Sequence, residues 1–313
     1  MALPSLSRVG LTGVEAVLHL RVDRRPPQLF AARLACFAEP PAGLVHPARF
    51  EDLMRDAVRD VLAEDAGLRI ERLAERLAER LRERLGARRA EVTIAARFPE
   101  HRPAPVSGTP TQEISTLHGA AVASDRGTRR LTGVSAQGMA TSPYAQETLV
   151  ARAHERLAAS GFSTARIARI LEEVPVATHS QLGVGTLHLG CPERRAREFD
   201  VADLLTIVEA AMASEIFELL KRSDEAAVVE RAHRRPRFAG DCVRAMLAGV
   251  LRRFADAPDD VFVAATQENV ETIHGHDVVA ERAGRLGDLR RERATGEAAE
   301  RPGSVADWLA ERL

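Results

Sequence analysis

The sequence predicts an α+β protein made of antiparallel sheets and paired helices. Pairs of β-branched, partly alternating segments predict the sheets, and the helical segments between those pairs predict the helices. The order also recurs: two strand pairs flanking paired helices occur roughly twice in 313 residues, which points to a pseudo-duplicated chain. Residues 11–22 and 29–37 read as strands joined by a Pro/Arg hairpin connection. Residues 50–64 and 68–85 read as helices. In the second, Leu73, Leu77, Leu81 and Leu85 recur every four residues and mark an apolar stripe, with Gly86 as the C-cap. Arg72, Arg76 and Arg80 stand three residues before Glu75, Glu79 and Glu83. Ion pairs worth about 0.2–0.5 kcal/mol each are therefore expected on a solvated face.

Strands follow at about 89–98, 112–124 and 127–138. A helix at about 144–158 precedes a loop holding His179. A strand at 184–191, helices at about 200–222 and 224–256, and a strand at 260–267 come next. The Arg/Glu/Gly/Ala-rich stretch Gly284–Gly303 reads as a mobile linker. A short helix, Ser304–Leu313, closes the chain, with Ser304 as N-cap, Asp307 behind it and Trp308 capping the domain. The expected division is a first module over 1–138, a second over 139–283 carrying most of the site, and a tail over 284–313.

Composition narrows the function classes. A formal net charge of -1, from 44 basic and 45 acidic residues, gives no global pull towards nucleic acid or anionic membrane. No apolar run of about 18 residues suggests a membrane span, and no leader-like segment opens the chain, so a soluble cytoplasmic protein is expected. Cys36, Cys191 and Cys242 are too few and too scattered for a disulfide framework or a Cys-rich zinc module.

The densest chemistry lies in Gln267–Asp277, where Glu268, Glu271, His274 and His276 crowd together after an apolar run. Imidazole and carboxylate suit zinc and iron, and either can move protons near neutral pH. Val176–Gln181, containing His179, and Gly138–Gln146 are two further markers. These segments are expected to meet in one metal-centred site.

In that order and spacing, the markers resemble the type IB GTP cyclohydrolase family, especially its archaeal-type branch. The family carries Gly-Met-x-x-Cys-Pro-Cys, then Thr-His-Asn-Gln-Arg, Leu-Lys-Arg-x-Asp-Glu and Glu-Asn-x-Glu-Ser-Ile-His-x-His. The counterparts here are Gly138–Tyr144, Thr178–Leu182, Leu220–Glu225 and Glu268–His276. Arg8–Val14 and Pro105–Gly108 also fit, so the likeness spans about residues 8–290.

The resemblance implies a tandem tunnelling fold (T-fold) whose barrel is completed by self-association, with active sites at the subunit interfaces of a homo-oligomer. It implies hydrolytic opening of a purine nucleotide ring with formate release, in pterin biosynthesis, using one divalent metal ion per site (zinc, iron or manganese). Carried over by position, the metal ligands would be Ser142, His179, Glu225 and His274. Glu271 would be the acid–base residue, with Ser142 a second candidate catalytic group, and Gln181, Tyr144, Gly240 and His276 would meet substrate. Two imidazoles and a carboxylate are a known catalytic zinc set, which brings the pKa of bound water towards about 7.

The motifs also depart from the family. Ser142 and Tyr144 replace its two cysteines, Ser180 and Leu182 replace Asn and Arg, and Gly240 takes the place of a glutamate that holds the guanine edge. A His-Met-Ser-Arg-Phe element reads His46–Phe50. Serine is a poor ligand beside thiolate, Leu182 lacks an arginine's phosphate fork, and Gly240 has no side chain to bind a purine edge. Three readings follow: a cyclohydrolase acting on GTP or a related nucleotide, the same fold and metal turned to another heterocycle in specialised metabolism, or a catalytically silent ligand-binding paralogue.

Overall fold

A computed structural model describes residues 6–39, 47–64, 67–192, 197–297 and 303–311. His46 lies outside the described residues, as do the side chains of the next four positions. The chain forms one nine-stranded antiparallel sheet, with the main core between one face and the helices that pack on it. The strands are β1 (Val9–Leu20), β2 (Gln28–Ala38), β3 (Arg89–Pro103), β4 (Pro110–Ser124), β5 (Gly127–Thr141), β6 (Ser180–Pro192), β7 (Ser214–Glu215), β8 (Phe262–Val270) and β9 (Val278–Arg285). Their spatial order is β1-β2-β3-β4-β5-β6-β8-β9, and β7 pairs with β5. The module boundary expected at 138/139 falls inside β5, so the sheet runs through it without a break.

The helices are α1 (Pro47–Glu64), α2 (Ile70–Leu85), α3 (Pro143–Ala159), α4 (Thr164–Glu173), α5 (Val201–Ala211), α6 (Arg222–Arg234), α7 (Ala239–Arg253), α8 (Leu286–Thr295) and α9 (Val305–Ala310). The leucine stripe of α2 is buried, as its four-residue period requires, and Gly86 ends the helix in the left-handed region at φ 58°. Alternate residues of the strands, such as Val92, Ile94, Leu117, Val134, Leu187 and Val263, meet α2, α5 and α7 in one core. Among the described residues, no helix is long and apolar enough to cross a membrane.

Several sequence expectations need correction. The helix expected over 200–222 stops at Ala211, because Ser214 and Glu215 leave the helix to pair with Met139 and Gly138. The helix expected over 224–256 is two, α6 and α7, parted at Arg235-Pro236; proline lacks the N–H that a helix interior needs and disfavours helical backbone before it. The stretch expected to be a mobile linker instead begins with the end of β9 and with α8. Arg290 anchors α8 by donating to the carbonyls of Phe254, Ala255 and Ala257. Helix α4 falls where a loop was expected. On α2, the Arg72–Glu75 pair forms at 3.0 Å, yet Glu75 is buried against Arg130 at 2.6 Å rather than lying on a solvated face.

The opposite face of the sheet holds a second, smaller cluster built on α9. Ser304 caps α9 through a reciprocal bond with Asp307, as expected. Trp308 is buried and stacks on Phe262, with ring centroids 4.9 Å apart. The Arg129 guanidinium lies 5.1 Å from the Trp308 ring, donates to the Trp308 carbonyl at 3.0 Å, and pairs with Glu311 at 3.0 Å. A Cβ added at Gly190 would sit 2.5 Å from the indole, so the absent side chain makes the seat.

Beside this cluster, His118 bonds Ser135 Oγ at 2.8 Å and its ring lies 5.3 Å from that of His188. Burial pulls His118 from 6.5 down to about 4, and burial with the neighbouring His118 pulls His188 down to about 3.

Two outcomes are expected. Gly190→Ala should destabilise the protein by roughly 1–3 kcal/mol in urea unfolding, and by much less in a Trp308→Ala background, because the clash needs the indole. The native state keeps both imidazoles neutral while the unfolded chain protonates them below 6.5. Stability should therefore fall as pH drops from 6.5 and level off below about 3, and a His118→Gln/His188→Gln double variant should show a shallower slope in the same titration.

Candidate functional site

Strand register brings three of the sequence markers to one end of the sheet. Thr141, the last residue of β5, pairs with Ser180, the first of β6, and Val270, the last of β8, pairs with Leu182. Continued one residue outward, the same register sets Ser142 opposite His179 and Glu271 opposite Gln181.

His179 and Glu271 are in contact, with Nε2 3.6 Å from Oε2, and their side chains are only 15% and 6% exposed. Glu271 is held from several directions. Its Oε1 accepts from the buried Gln181 amide, and its Oε2 accepts from the Thr272 N–H at 3.3 Å. Its own N–H donates to Asp277 at 3.0 Å, and Thr272 Oγ donates to the Ser180 carbonyl at 3.1 Å. A carboxylate fixed in this way beside an imidazole can accept a proton without first reorganising.

Ser142 is the N-cap of α3, its Oγ accepting from the Ala145 N–H at 3.4 Å, with Pro143 next to it. Tyr144 follows, 73% exposed. Gln146, in the same turn, donates to the carbonyls of Val176 (2.8 Å) and His233 (2.6 Å). The His233 ring nitrogens lie 2.8 Å from the Val229 carbonyl and 3.0 Å from that of Thr178. The start of α3, the loop before His179 and the end of α6 are thus tied together.

The remaining expected residues lie elsewhere in this chain. Glu225 is exposed in the first turn of α6, eight residues before His233, or about 12 Å along the helix axis. Its neighbour Asp224 is the buried one. It accepts from the N–H groups of Val106, Ser107 and Lys221 and from Ser107 Oγ. Burial opposes its charge, but these hydrogen bonds outweigh it and hold the carboxyl well below the usual carboxylate range. His274 and His276 stack on each other 5.2 Å apart in an exposed turn. Gly240 is the second residue of α7, and a Cβ there would meet only the Arg244 guanidinium, at 3.5 Å.

Among the described residues of one chain, no three His, Cys, Asp or Glu side chains lie close enough to hold a metal ion. Within one chain, the donor set implied by the resemblance does not fit a complete metal site. Sequence reading missed His233 and Asp224, whose roles come from backbone groups far along the chain. The only local signal for Asp224 is its place three residues after Lys221, at the start of a helix.

A family model described as type I GTP cyclohydrolase folE2 matches residues 2–280. The chain is 31% identical over 296 residues to GTP cyclohydrolase MptA of Methanococcus aeolicus, covering 92% of this chain and 95% of the relative. It is 33% identical over 301 residues to GTP cyclohydrolase MptA of Methanosarcina mazei, covering 92% and 93%. The crystal structure of uricase from Arthrobacter globiformis superposes with a TM-score of 0.48 at 10% identity, over 96% of this chain and 98% of that one, a likeness too slight to carry an argument.

Proposed function

Because the chain belongs to the type I GTP cyclohydrolase family, we propose that it hydrolyses the imidazole ring of a purine nucleotide, GTP first among them, and releases formate. The observation that carries this reading is the His179–Glu271 contact, formed where two family motifs end on neighbouring strands. Water attacking the electron-poor ring carbon must lose a proton, and the fixed Glu271 carboxylate is the group that takes it. Ring opening then needs a proton on the departing nitrogen, which the same carboxyl group returns. His179 lies against the oxygen of Glu271 that Gln181 does not hold.

The divalent ion implied by the resemblance would need donors from a second copy, since among the described residues of one chain no three His, Cys, Asp or Glu side chains gather at His179. Self-association into a T-fold barrel is part of the proposal. The single sheet ends in β1 on one side and β9 on the other, and two open antiparallel edges support pairing between copies. Gly240, which offers no side chain to a purine edge, and Leu182, exposed on β6 beside Val270, favour a second reading in which another heterocycle replaces GTP.

Anaerobic incubation of the purified chain with GTP, other purine nucleotides and free heterocycles, with manganese, iron or zinc added, distinguishes these readings. Formate and loss of purine absorbance from GTP are expected. Glu271→Gln should lower kcat by about 100-fold or more with little change in KM. Chelation followed by readdition of metal should abolish and restore turnover. Formate from a different heterocycle alone would move the assignment to the second reading. A metal-free protein that leaves the whole panel intact would be a silent paralogue.

A further inference from the structure

We propose that Gln267, a buried residue outside the ligand and substrate sets considered above, positions the Glu271 carboxylate through a relay of side-chain amides. Gln267 lies in β8 with no exposed surface, in the layer between the sheet and α5 and α7. Its Nε2 donates to Asn269 Oδ1 at 2.9 Å. Asn269, also buried, donates from Nδ2 to Gln181 Oε1 at 3.3 Å, and Gln181 Nε2 donates to Glu271 Oε1. Every link donates in one direction, and the series ends on a carboxylate oxygen, which only accepts.

The core makes a slot for this amide. A Cβ at Gly183 would approach Gln267 Nε2 to 2.6 Å, and one at Gly185 would approach Oε1 to 3.2 Å. Gln267 Oε1 has no hydrogen-bond partner, so the amide sits among Val208, Met212 and Met246 with an acceptor unmet. A leucine or methionine would avoid that penalty. What the glutamine supplies in exchange is a fixed Asn269. Without it, Asn269 is free to turn, Gln181 loses the donor that sets its orientation, and Glu271 Oε1 loses its tether. Oε2 would then no longer be held against His179. The effect expected is on the reacting geometry and not on substrate affinity, because Gln267 and Asn269 are both buried.

This inference rests on the proposed cyclohydrolase reading for its kinetic test and is independent of it for its structural one. Gln267→Met keeps length and apolar volume and removes the donor. Asn269→Asp keeps the acceptor for Gln267 and removes the donor to Gln181. With GTP as substrate, each is expected to lower kcat roughly tenfold with KM within about twofold of the parent. Gln267→Met, which removes the unmet acceptor, should not lower the melting temperature. The double variant is expected to lose no more than the worse single one, since the links act in series. Crystal structures of the parent and of Gln267→Met read the geometry directly: Glu271 Oε1 should leave hydrogen-bond distance of Gln181. If Glu271 stays in place in that structure, or if kcat is unchanged in both single variants, the relay does not position it. If KM and melting temperature move together with kcat, Gln267 is merely structural. If the parent shows no turnover, the functional reading fails and the crystallographic comparison still decides the relay.

Discussion

The antiparallel register of β5, β6 and β8 is the constraint on which everything else in this protein depends. These strands are far apart in the chain, and only their pairing brings the Ser142, His179 and Glu271 segments to a common end of the sheet. A slip of one residue would turn alternate side chains to the wrong face, sending Leu187 and Val263 out of the core and dispersing the carboxylate and imidazole. Burial on the helix side fixes the register, so the hydrophobic core and the chemistry are set by the same pairing. Gly183 and Gly185 on β6 serve both, since their bare backbone admits Met212, Val208 and the Gln267 amide against the sheet.

Much of this architecture was legible in the sequence. The leucine period of α2, the paired β-branched segments of β1 to β5 and the Ser304 cap each depend on neighbours a few residues away, which a sequence displays directly. The failures share a cause. Ser214 and Glu215 become strand because β5 offers an open pairing partner, and Glu75 is buried because Arg130 waits on the sheet. Neither partner is near in sequence. Pro236 is a local signal for the break between α6 and α7, which the reading of one helix over 224–256 does not use.

The site divides along the same line. His179 and Glu271 were singled out by motif and do meet. Glu225 and His274 were singled out in the same way, and one chain leaves both exposed and apart from that pair. A family motif says which residues belong to a function without saying which copy of the chain delivers them. The less conspicuous neighbours, Asp224, His233 and Gln146, clamp loops by bonding main-chain groups, and main-chain acceptors leave no imprint on residue type.

The docking of Trp308 has a practical corollary. Because the indole is seated over Gly190 and the Arg129–Glu311 pair follows at once, Glu311 is held on the α9 side of the sheet, opposite the main core. An affinity tag or fusion partner appended there would start beside the Trp308 seat and load it directly. One attached at the start of the chain, ahead of β1, would have a different origin. Engineers wishing to preserve that seat should therefore treat the two ends of this chain as unequal.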